Sequence, residues 1–395
     1  MKILVLNYEF PPIGGGGASV CYEIAKRYVG KGHEVDVVTA GFRGLPSKQT
    51  IDGFTLYRVN CLRSRQELSY PHELLSFVFS AKRFLRNHLN YHRYDICHAH
   101  FLLPTGIVAL ALKEKLGLPY IISAHGSDVP GYNVDRFKIL HWFTPPLLKK
   151  ICDGAEHIIT SSDYLASLVR QNIHPYPDGK IINIPNGIDC SKFVPLKKDN
   201  IVLSSGRFLP RKGFQHLIKA VSEVDLGFTV HLCGDGPMRP QLQRLSEASR
   251  TRIVFHGWVD NRSAFYRDLL GVASIFVLPS AAENASVGLL EGMSAGCAVV
   301  TSNVSGCPET VGSSGIVVNP TDAGAIKVRL VELTGDPDLR RRFQQMARER
   351  VEKVFSWDRI VDRYHSLLEE PLRAQAACGV PWRDPPRAKA STRGL

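Results

Sequence analysis

Short apolar runs alternate with helical patterns along most of the chain. In the first half, the runs typical of buried strands are Ile3–Leu6, Val35–Thr39, Ile96–His98, Pro119–Ala124 and Ala155–Thr160. A second series comprises Ile201–Ser205, Phe228–Leu232, Ile253–Phe255, Ile275–Leu278 and Ala298–Thr301. Continuous apolar strands separated by helices indicate parallel sheets covered on both faces. The pattern therefore predicts an α/β fold of two doubly wound, Rossmann-like domains with a cleft between them.

The length of the chain agrees with this division. At 395 residues it suits two domains of about 180 residues. The alternation breaks near Ile184–Asp189, and Val194–Asn200 has the composition of a linker. We predict a first domain over residues 1–190, a second over 200–355, a terminal amphipathic helix over 356–374 and a disordered tail over 375–395.

Charge and cysteine content narrow the possible partners and location. Lys and Arg exceed Asp and Glu by 49 to 37, a net charge of +12, which favours nucleotide phosphates, an anionic membrane surface or nucleic acid. Nine scattered cysteines without a C-x-x-C pair favour a reducing compartment over disulfides or a zinc site. The first apolar run is too short for a signal peptide, and none approaches the roughly 20 residues of a spanning helix. We expect a cytoplasmic protein, with peripheral membrane attachment as an option.

Polar and glycine residues follow the predicted strands at the edge where open parallel sheets bind ligands. These segments are His125–Asp128, Gly206–Arg207, Lys212–Gly213, Gly234–Pro237, Gly257–Val259 and Glu283. Arg207 and Lys212 are suited to clamp a diphosphate, although solvated loop cations are the alternative. His125 is either functional or a core histidine, and Asp128 is expected to cap a following helix.

Two carboxylates flank a predicted strand-to-helix junction. Glu283 precedes a helix that starts near Ser286, and Glu291 lies about two turns inside it. The backbone N–H groups of Ser286–Gly288 and the helix dipole favour an anion, while carboxylates accept hydrogen bonds from sugar hydroxyls. The arrangement predicts a nucleotide-sugar site; a capping carboxylate beside an ordinary helical glutamate is the alternative.

Two motifs are expected to mislead. Gly14–Gly17 suggests a dinucleotide loop, but Ser19 stands where the third glycine belongs, so a flexible loop approaching a ligand phosphate, or a structural turn, is favoured. Asp336–Asp338 is formally a D-x-D metal motif, yet Asp followed by Pro is typical of a helix start. We predict a helix cap there and no bound metal.

Taken in order over residues 1 to about 370, the motifs resemble the retaining glycosyltransferases of family 4, which have the GT-B architecture. The motifs that carry the resemblance are Pro11–Gly17, His125–Asp128, Asn186–Asp189, Gly206–Arg207, Lys212–Gly213, Gly234–Pro237, Gly257–Val259, and Glu283 with Glu291. The resemblance implies two Rossmann-like domains facing a central cleft and a C-terminal helix crossing back to the first domain.

The resemblance also implies roles for single residues. Arg207 and Lys212 would bind the donor diphosphate, Glu291 the ribose, and Glu283 the donor sugar, with His125 facing that sugar or its phosphate. Further donor-binding positions are Gly15, Gly16, Gly234, Trp258, Val259, Ser286, Val287 and Gly288. Catalysis would be retaining and metal-independent, with no cofactor besides the nucleoside-diphosphate sugar, which is a substrate.

The expected activity is transfer of a hexose-type sugar to a glycan, lipid-linked or small-molecule acceptor, in cell-surface glycan or glycolipid assembly. Asn284–Ser286 departs from the Gly-Phe-Gly of many members, which leaves the sugar open. The segment Lys82–Leu89 is basic and amphipathic, so it either docks on anionic lipid or packs on its sheet with a solvated basic side. An epimerase or phosphorylase of the same architecture is an alternative. A nucleic-acid-binding protein is disfavoured because the positive charge is dispersed.

Overall fold

The computed structural model describes residues 1–66, 68–132 and 144–378, with side chains up to residue 373. The chain forms two compact units. The first contains Met1–Ser161, Ala166–Ile184 and the chain from Val361 on, and the second contains Ser162–Leu165 and Pro185–Ile360. Each unit has its own sheet.

The first unit is built on an eight-stranded sheet in the order β3-β4-β2-β1-β5-β6-β7-β8. Its strands are β1 Lys2–Leu6, β2 Glu34–Ala40, β3 Lys48–Ile51, β4 Phe54–Val59, β5 Ile96–His100, β6 Tyr120–Ser123, β7 Ile158–Thr160 and β8 Ile181–Asn183. All neighbours are parallel except the β3–β4 pair. The described helices in this part of the chain are α1 Gly16–Gly30, α2 Pro71–His88, α3 Thr105–Leu116, α4 Pro145–Gly154 and α5 Asp163–Asn172.

The second unit has a six-stranded, wholly parallel sheet in the order β11-β10-β9-β12-β13-β14. Its strands are β9 Asp199–Ser205, β10 Thr229–Cys233, β11 Ile253–Gly257, β12 Ala273–Leu278, β13 Ala298–Ser302 and β14 Gly315–Val318. Its helices are α6 Phe214–Ser222, α7 Arg239–Ser246, α8 Ala264–Val272, α9 Val287–Ser294, α10 Cys307–Val311, α11 Ala323–Gly335 and α12 Pro337–Val354, with short 3-10 helices at Pro210–Lys212 and Gly312–Ser314.

Consecutive side chains of the second sheet enter two separate cores. Val202 and Ile275 pack in one hydrophobic cluster, whereas their chain neighbours Leu203 and Phe276 pack in the other. Side chains alternate between the faces of a strand, so a strand buried on both sides must be apolar at every position. This confirms the prediction of parallel sheets covered on both faces.

The long terminal helix α13, Trp357–Cys378, begins in the second unit and continues in the first. It extends beyond residue 374, where the sequence suggested its end, so the predicted tail begins too early. The rest of that tail, from residue 379, lies outside the described residues. Among the described residues, every helix is either too short or too polar to traverse a bilayer.

The boundary between the units differs from the one that composition suggested. The second unit starts at Pro185 rather than after residue 190, because Ile188 donates a backbone hydrogen bond to Phe355 over 2.8 Å. The segment expected to be a linker also packs within this unit. Leu196 N–H donates to the carbonyl of Gly271, and the half-buried Lys198 donates through its ammonium to the carbonyls of Gly271, Ala273 and Ala295.

The predicted strands all form, but the sequence analysis missed the β3–β4 hairpin. Its signal was present in Asp52 and Gly53, which connect the two strands with φ angles of 44° and 86°. An Asp-Gly pair with both φ angles positive is a favoured hairpin turn. Because β3 is largely exposed, it lacks the apolar run by which the predicted strands were recognised.

Candidate functional site

Glu291 lies in the middle of α9 and is one of the most deeply buried carboxylates of the second unit, with 5% of its surface exposed. The Tyr266 hydroxyl donates a hydrogen bond to Oε2 over 3.0 Å, and Asn261 Nδ2 lies 3.5 Å from Oε1. Burial raises the pKa of Glu291 to about 7, although the hydrogen bond from Tyr266 and the charge of Lys192 oppose the rise. The carboxyl group is therefore held in a polar pocket and titrates near neutral pH.

Tyr266 connects this carboxylate to the end of a strand. Its hydroxyl lies 2.8 Å from Ser205 Oγ, at the carboxyl end of β9. Since Tyr266 donates to Glu291, Ser205 donates to Tyr266 in this chain of hydrogen bonds. Tyr266 and Asn261 were both missed by sequence reasoning. Only Asn261 had a signal, since it lies three residues beyond Trp258 in a loop at the carboxyl edge of the sheet.

Glu283 occupies the loop between β12 and α9 and forms an ion pair with Lys212, whose Nζ donates to Oε1. Both side chains are largely buried, and the Glu283 carbonyl accepts a hydrogen bond from Gly306 over 3.0 Å. The sequence analysis placed Lys212 with Arg207 on a diphosphate. The structure brings Lys212 to a carboxylate and leaves Arg207 exposed after β9, and their shared role on a diphosphate stays a prediction.

A glycine next to Lys212 fixes the position of this loop. Gly213 has a φ of 77°, and a Cβ there would lie 1.9 Å from the carbonyl oxygen of Pro279. Pro279 directly follows β12, so the Lys212 loop and the Glu283 loop touch through their backbones. This contact requires glycine both for the left-handed conformation and for the close approach.

Gly234 plays a comparable part between two other loops of the same edge. It donates to the carbonyl of Gly257 over 2.7 Å, and a Cβ on it would lie 1.9 Å from the carbonyl oxygen of Gly206. Trp258 is 69% exposed, whereas Val259 packs partly against the core. The loops after β9, β10 and β11 are thus held together by their backbones at one edge.

The amino-terminal turn of α9 lies between the two glutamates in the chain. Ser286 is its N-cap residue, and among the described contacts no side chain caps this helix start. A Cβ on Gly288 would make only ordinary van der Waals contacts, the nearest at 3.8 Å. The N–H groups of Val287 and Gly288 belong to the first turn, where backbone donors and the helix dipole favour an anion.

The first unit places His125 beside a second histidine. His125 follows β6 and its Nε2 lies 3.0 Å from Nδ1 of His100, with the rings stacked. Burial lowers the pKa of His125 to about 4, so its imidazole is neutral at pH 7. Asp128 accepts hydrogen bonds from the backbone N–H groups of His125 and Leu102 at 3.0 and 2.6 Å. Asp128 therefore fixes the loop that carries His125, and part of the segment it was expected to cap, residues 133–143, lies outside the described residues.

The glycine loop of the first unit begins α1. A Cβ on Gly15 or Gly16 would meet nothing within 4 Å, whereas one on Gly17 would lie 2.7 Å from the Phe101 ring. Gly15 N–H donates to Oε2 of Glu9 over 3.2 Å. The backbone of Gly15 and Gly16 is therefore open on its outer side, although a carboxylate of the same chain already bonds to Gly15.

Asp336 is the helix cap that the sequence predicted. Its Oδ1 accepts hydrogen bonds from the N–H groups of Asp338 and Leu339, at 3.0 and 2.9 Å, at the start of α12. Asp338 forms a surface ion pair with Arg341. The two carboxylates therefore have ordinary local partners at a helix start.

Comparison with known proteins places the chain in a family. Residues 14–192 match the family described as Glycosyltransferase Family 4, and residues 190–350 match that described as Glycosyl transferases group 1. An uncharacterized glycosyltransferase of Methanocaldococcus jannaschii is 30% identical over 388 residues, which cover 91% of this chain and 96% of that protein.

Solved structures share the fold. Sucrose-phosphate synthase from Thermosynechococcus elongatus superposes with a TM-score of 0.79 at 20% identity, covering 95% of this chain and all of that one. Anabaena HepE in complex with UDP has a TM-score of 0.73 at 17% identity, covering 93% of this chain and 100% of that one. The two parallel-sheet units are thus those of the GT-B fold.

Proposed function

Because the chain belongs to the group 1 glycosyltransferases, we propose that it transfers a hexose-type sugar from a nucleoside-diphosphate sugar to an acceptor hydroxyl with retention of configuration. The acceptor is a cell-surface glycan, a glycolipid precursor or a small molecule. The observation that carries the proposal is the pair of buried carboxylates around the start of α9: Glu291 bonded to Tyr266, and Glu283 bonded to Lys212.

Glu291 is the proposed ribose ligand. A carboxylate can accept hydrogen bonds from two hydroxyl groups at once, which suits the adjacent hydroxyls of a ribose. Tyr266 and Asn261 orient the group from one side. Because the pKa of Glu291 is near 7, ribose hydroxyls that donate to the charged form stabilise that form, and donor binding releases a proton where the carboxyl was protonated.

Lys212, Arg207 and the first turn of α9 are the proposed diphosphate ligands. Charge develops on the diphosphate as the sugar–oxygen bond breaks, and positioned cations and N–H groups stabilise that charge. Lys212 is held by Glu283, so a diphosphate shares or displaces this partner when it binds. Glu283 then becomes available to the hydroxyls of the donor sugar. Because the chain's own cations offset the charge, we propose that turnover needs no metal.

His125 is the proposed contact to the transferring sugar from the first unit. Its neutral imidazole offers one donor and one acceptor, and the bond to His100 uses one of them. Retention of configuration rests on the family membership. In the proposed retaining mechanism, the acceptor hydroxyl enters on the same face of the sugar from which the diphosphate leaves. No side chain of this protein attacks the sugar.

The decisive experiment is a calorimetric titration with a panel of nucleoside diphosphates and their sugars, followed by an acceptor screen with the donor that binds. Glu291→Gln keeps the shape of the side chain but removes its charge, and we expect at least tenfold weaker donor binding. Glu332→Gln, on the exposed face of α11, is the matched control and should bind as wild type does. If no nucleoside diphosphate binds, or if both variants bind equally well, the proposal is wrong.

We also propose that α2 attaches the protein to an anionic membrane surface. Leu75, Phe79, Arg83 and Arg86 are exposed and lie three or four residues apart, so they share one face of the helix. Apolar side chains flanked by cations suit the boundary between lipid headgroups and acyl chains.

Cosedimentation with vesicles tests the attachment. Binding to phosphatidylglycerol-containing vesicles should exceed binding to phosphatidylcholine vesicles, and Arg83→Glu with Arg86→Glu should remove the difference. Arg341→Glu with Arg342→Glu on α12 imposes the same change in net charge elsewhere and should retain binding. Equal loss in both double variants would indicate an effect of net charge alone and would contradict the assignment to α2.

A further inference from the structure

Three metal-ligating side chains converge in the first unit, away from the proposed catalytic and donor-binding residues. They are Asp36 on β2, His88 at the end of α2 and His92 in the turn that follows. One ligand atom from each lies within 4.8 Å of those of the other two. Asp36 and His88 are almost fully buried, with side-chain exposures of 6% and 8%.

This cluster lies at the amino-terminal edge of the first sheet. Asp36 is near the start of β2, and the neighbouring Lys2 is the first residue of β1. His125 and the glycine loop follow the carboxyl ends of β6 and β1, at the opposite edge. Any function of this cluster is therefore separate from the proposed sugar transfer, whose residues lie at the opposite edge of the sheet.

The cluster is held in place by surrounding groups. The Tyr94 hydroxyl donates to Asp36 Oδ2 over 2.6 Å and lies 2.7 Å from His88 Nε2. The His88 ring stacks on His92 at 4.1 Å and meets the Tyr57 ring edge-on at 4.8 Å. Such outer contacts orient the ligands of metal sites and limit the rotations open to them.

A cation of the chain already lies beside the cluster. The Lys2 ammonium lies 3.5 Å from His92 Nδ1 and also pairs with the exposed Glu34. This ammonium competes with a metal ion for the His92 imidazole.

We propose that Asp36, His88 and His92 bind a divalent cation of the zinc class, which moves the Lys2 ammonium outward to Glu34. Two imidazoles and one carboxylate are a common donor set for zinc, and water completes the tetrahedron. Tetrahedral donors about 2.1 Å from zinc are about 3.4 Å apart, so ligand atoms that lie within 4.8 Å of one another must approach by up to about 1.4 Å. The half-buried His92, in a turn, is the ligand that moves. The bound cation joins the end of α2 to β2 and stabilises the first unit.

Cobalt titration of the tag-free full-length chain tests the site, because Co²⁺ replaces zinc and tetrahedral cobalt absorbs visible light. We expect one Co²⁺ per chain with visible absorption bands, displaced by Zn²⁺, and a higher melting temperature when Zn²⁺ is present. His92→Ala should weaken binding at least tenfold and abolish the thermal shift. His72→Ala, which removes an exposed histidine of the same α2, should change neither.

A second variant distinguishes a metal site from a cluster whose side chains only pack together. Lys2→Gln removes the competing ammonium, so the affinity for Co²⁺ should rise about tenfold or more. This measurement keeps the test decisive even if His92→Ala fails to fold. Absence of saturable Co²⁺ uptake by the wild type overturns the proposal. So does equal affinity in wild type and a folded His92→Ala, or an unchanged affinity in Lys2→Gln.

Discussion

The Tyr266 hydroxyl donates a hydrogen bond to Glu291 Oε2 over 3.0 Å and lies 2.8 Å from Ser205 Oγ. Tyr266 belongs to α8 and Glu291 to α9, so the bond joins two helices at the carboxyl edge of the second sheet. It restricts a carboxylate whose burial already disfavours its charged form. Donor affinity therefore depends on Tyr266 as well as on Glu291.

Tyr266→Phe should weaken donor binding by about 1 kcal/mol, because it removes one hydrogen bond to the proposed ribose ligand and preserves the ring packing. Glu291→Ala should weaken donor binding by about 1.5–3 kcal/mol. Calorimetric titration of both variants and the double variant checks this. The double loss should be smaller than the sum, since Tyr266 acts through Glu291. Unchanged donor affinity in Glu291→Ala would contradict the assignment of Glu291 as the ribose ligand.

The stability of the protein should depend on pH through Glu291. Its pKa is raised from 4.5 to about 7 by burial, so the folded state binds the proton more tightly. The resulting stabilisation is fully present below about pH 4.5 and is lost as the pH rises to about 7, an effect on the order of 3 kcal/mol.

Glu291→Gln isolates this effect, because glutamine stays neutral at every pH. As the pH rises from about 4.5 to 8, the free energy of unfolding of the variant should increase by on the order of 3 kcal/mol relative to that of the wild type. Urea unfolding at both values measures the difference, and Glu332→Gln on the surface serves as control. A constant difference between variant and wild type would show that the carboxyl group titrates normally.

Arg207→Ala and Lys212→Ala should each lower turnover by about 10²–10³, since both are proposed to stabilise charge on the leaving diphosphate. Because they act on one anion, the double variant should lose less than the product of the single losses. Steady-state kinetics on folded protein measure the cycle, with Lys219→Ala on α6 as a control. If the double variant loses the full product of the two single losses, the two cations do not act on one anion. Turnover within about twofold of wild type in either single variant would also contradict a shared clamp.

Turnover should survive excess EDTA, because the proposed diphosphate ligands are side-chain cations and backbone N–H groups. The proposed zinc site lies at the other edge of the first sheet, so chelation should lower the melting temperature without lowering turnover at temperatures far below it. Activity lost on chelation and restored by Mn²⁺ or Mg²⁺ would contradict metal-independent transfer. In that case the dismissal of Asp336–Asp338 would have to be reconsidered.

Lys198→Met should destabilise the second unit by about 3 kcal/mol, because the ammonium donates to three carbonyls that the variant leaves without that partner. Lys197→Met removes the same charge from the exposed neighbouring position and should have little effect. Urea unfolding of the two variants provides the comparison. Equal stability would show that water replaces the ammonium at these carbonyls.

The sequence by itself determined most of the alternation of strands and helices, although not the β3–β4 hairpin, and the loops that form the ligand edge. Apolar runs such as Ile275–Leu278 must be buried on both faces, and a parallel sheet covered by helices provides that environment. The carboxyl edge follows from the direction of the strands, which places Glu283 and Gly234 in loops at the same edge of the sheet. The helix cap at Asp336 was also predictable, since its hydrogen bonds reach only two and three residues along the chain.

Only the tertiary structure decided which side chains meet. Lys212 pairs with Glu283 across 71 positions, Tyr266 meets Glu291 across 25, and Tyr94 joins Asp36 across 58. Hydrophobic periodicity specifies which face of an element is buried, but it does not specify the polar partner that packing brings to that face. The pKa of Glu291 has the same origin, because desolvation depends on all the atoms that surround the carboxyl group in the folded chain.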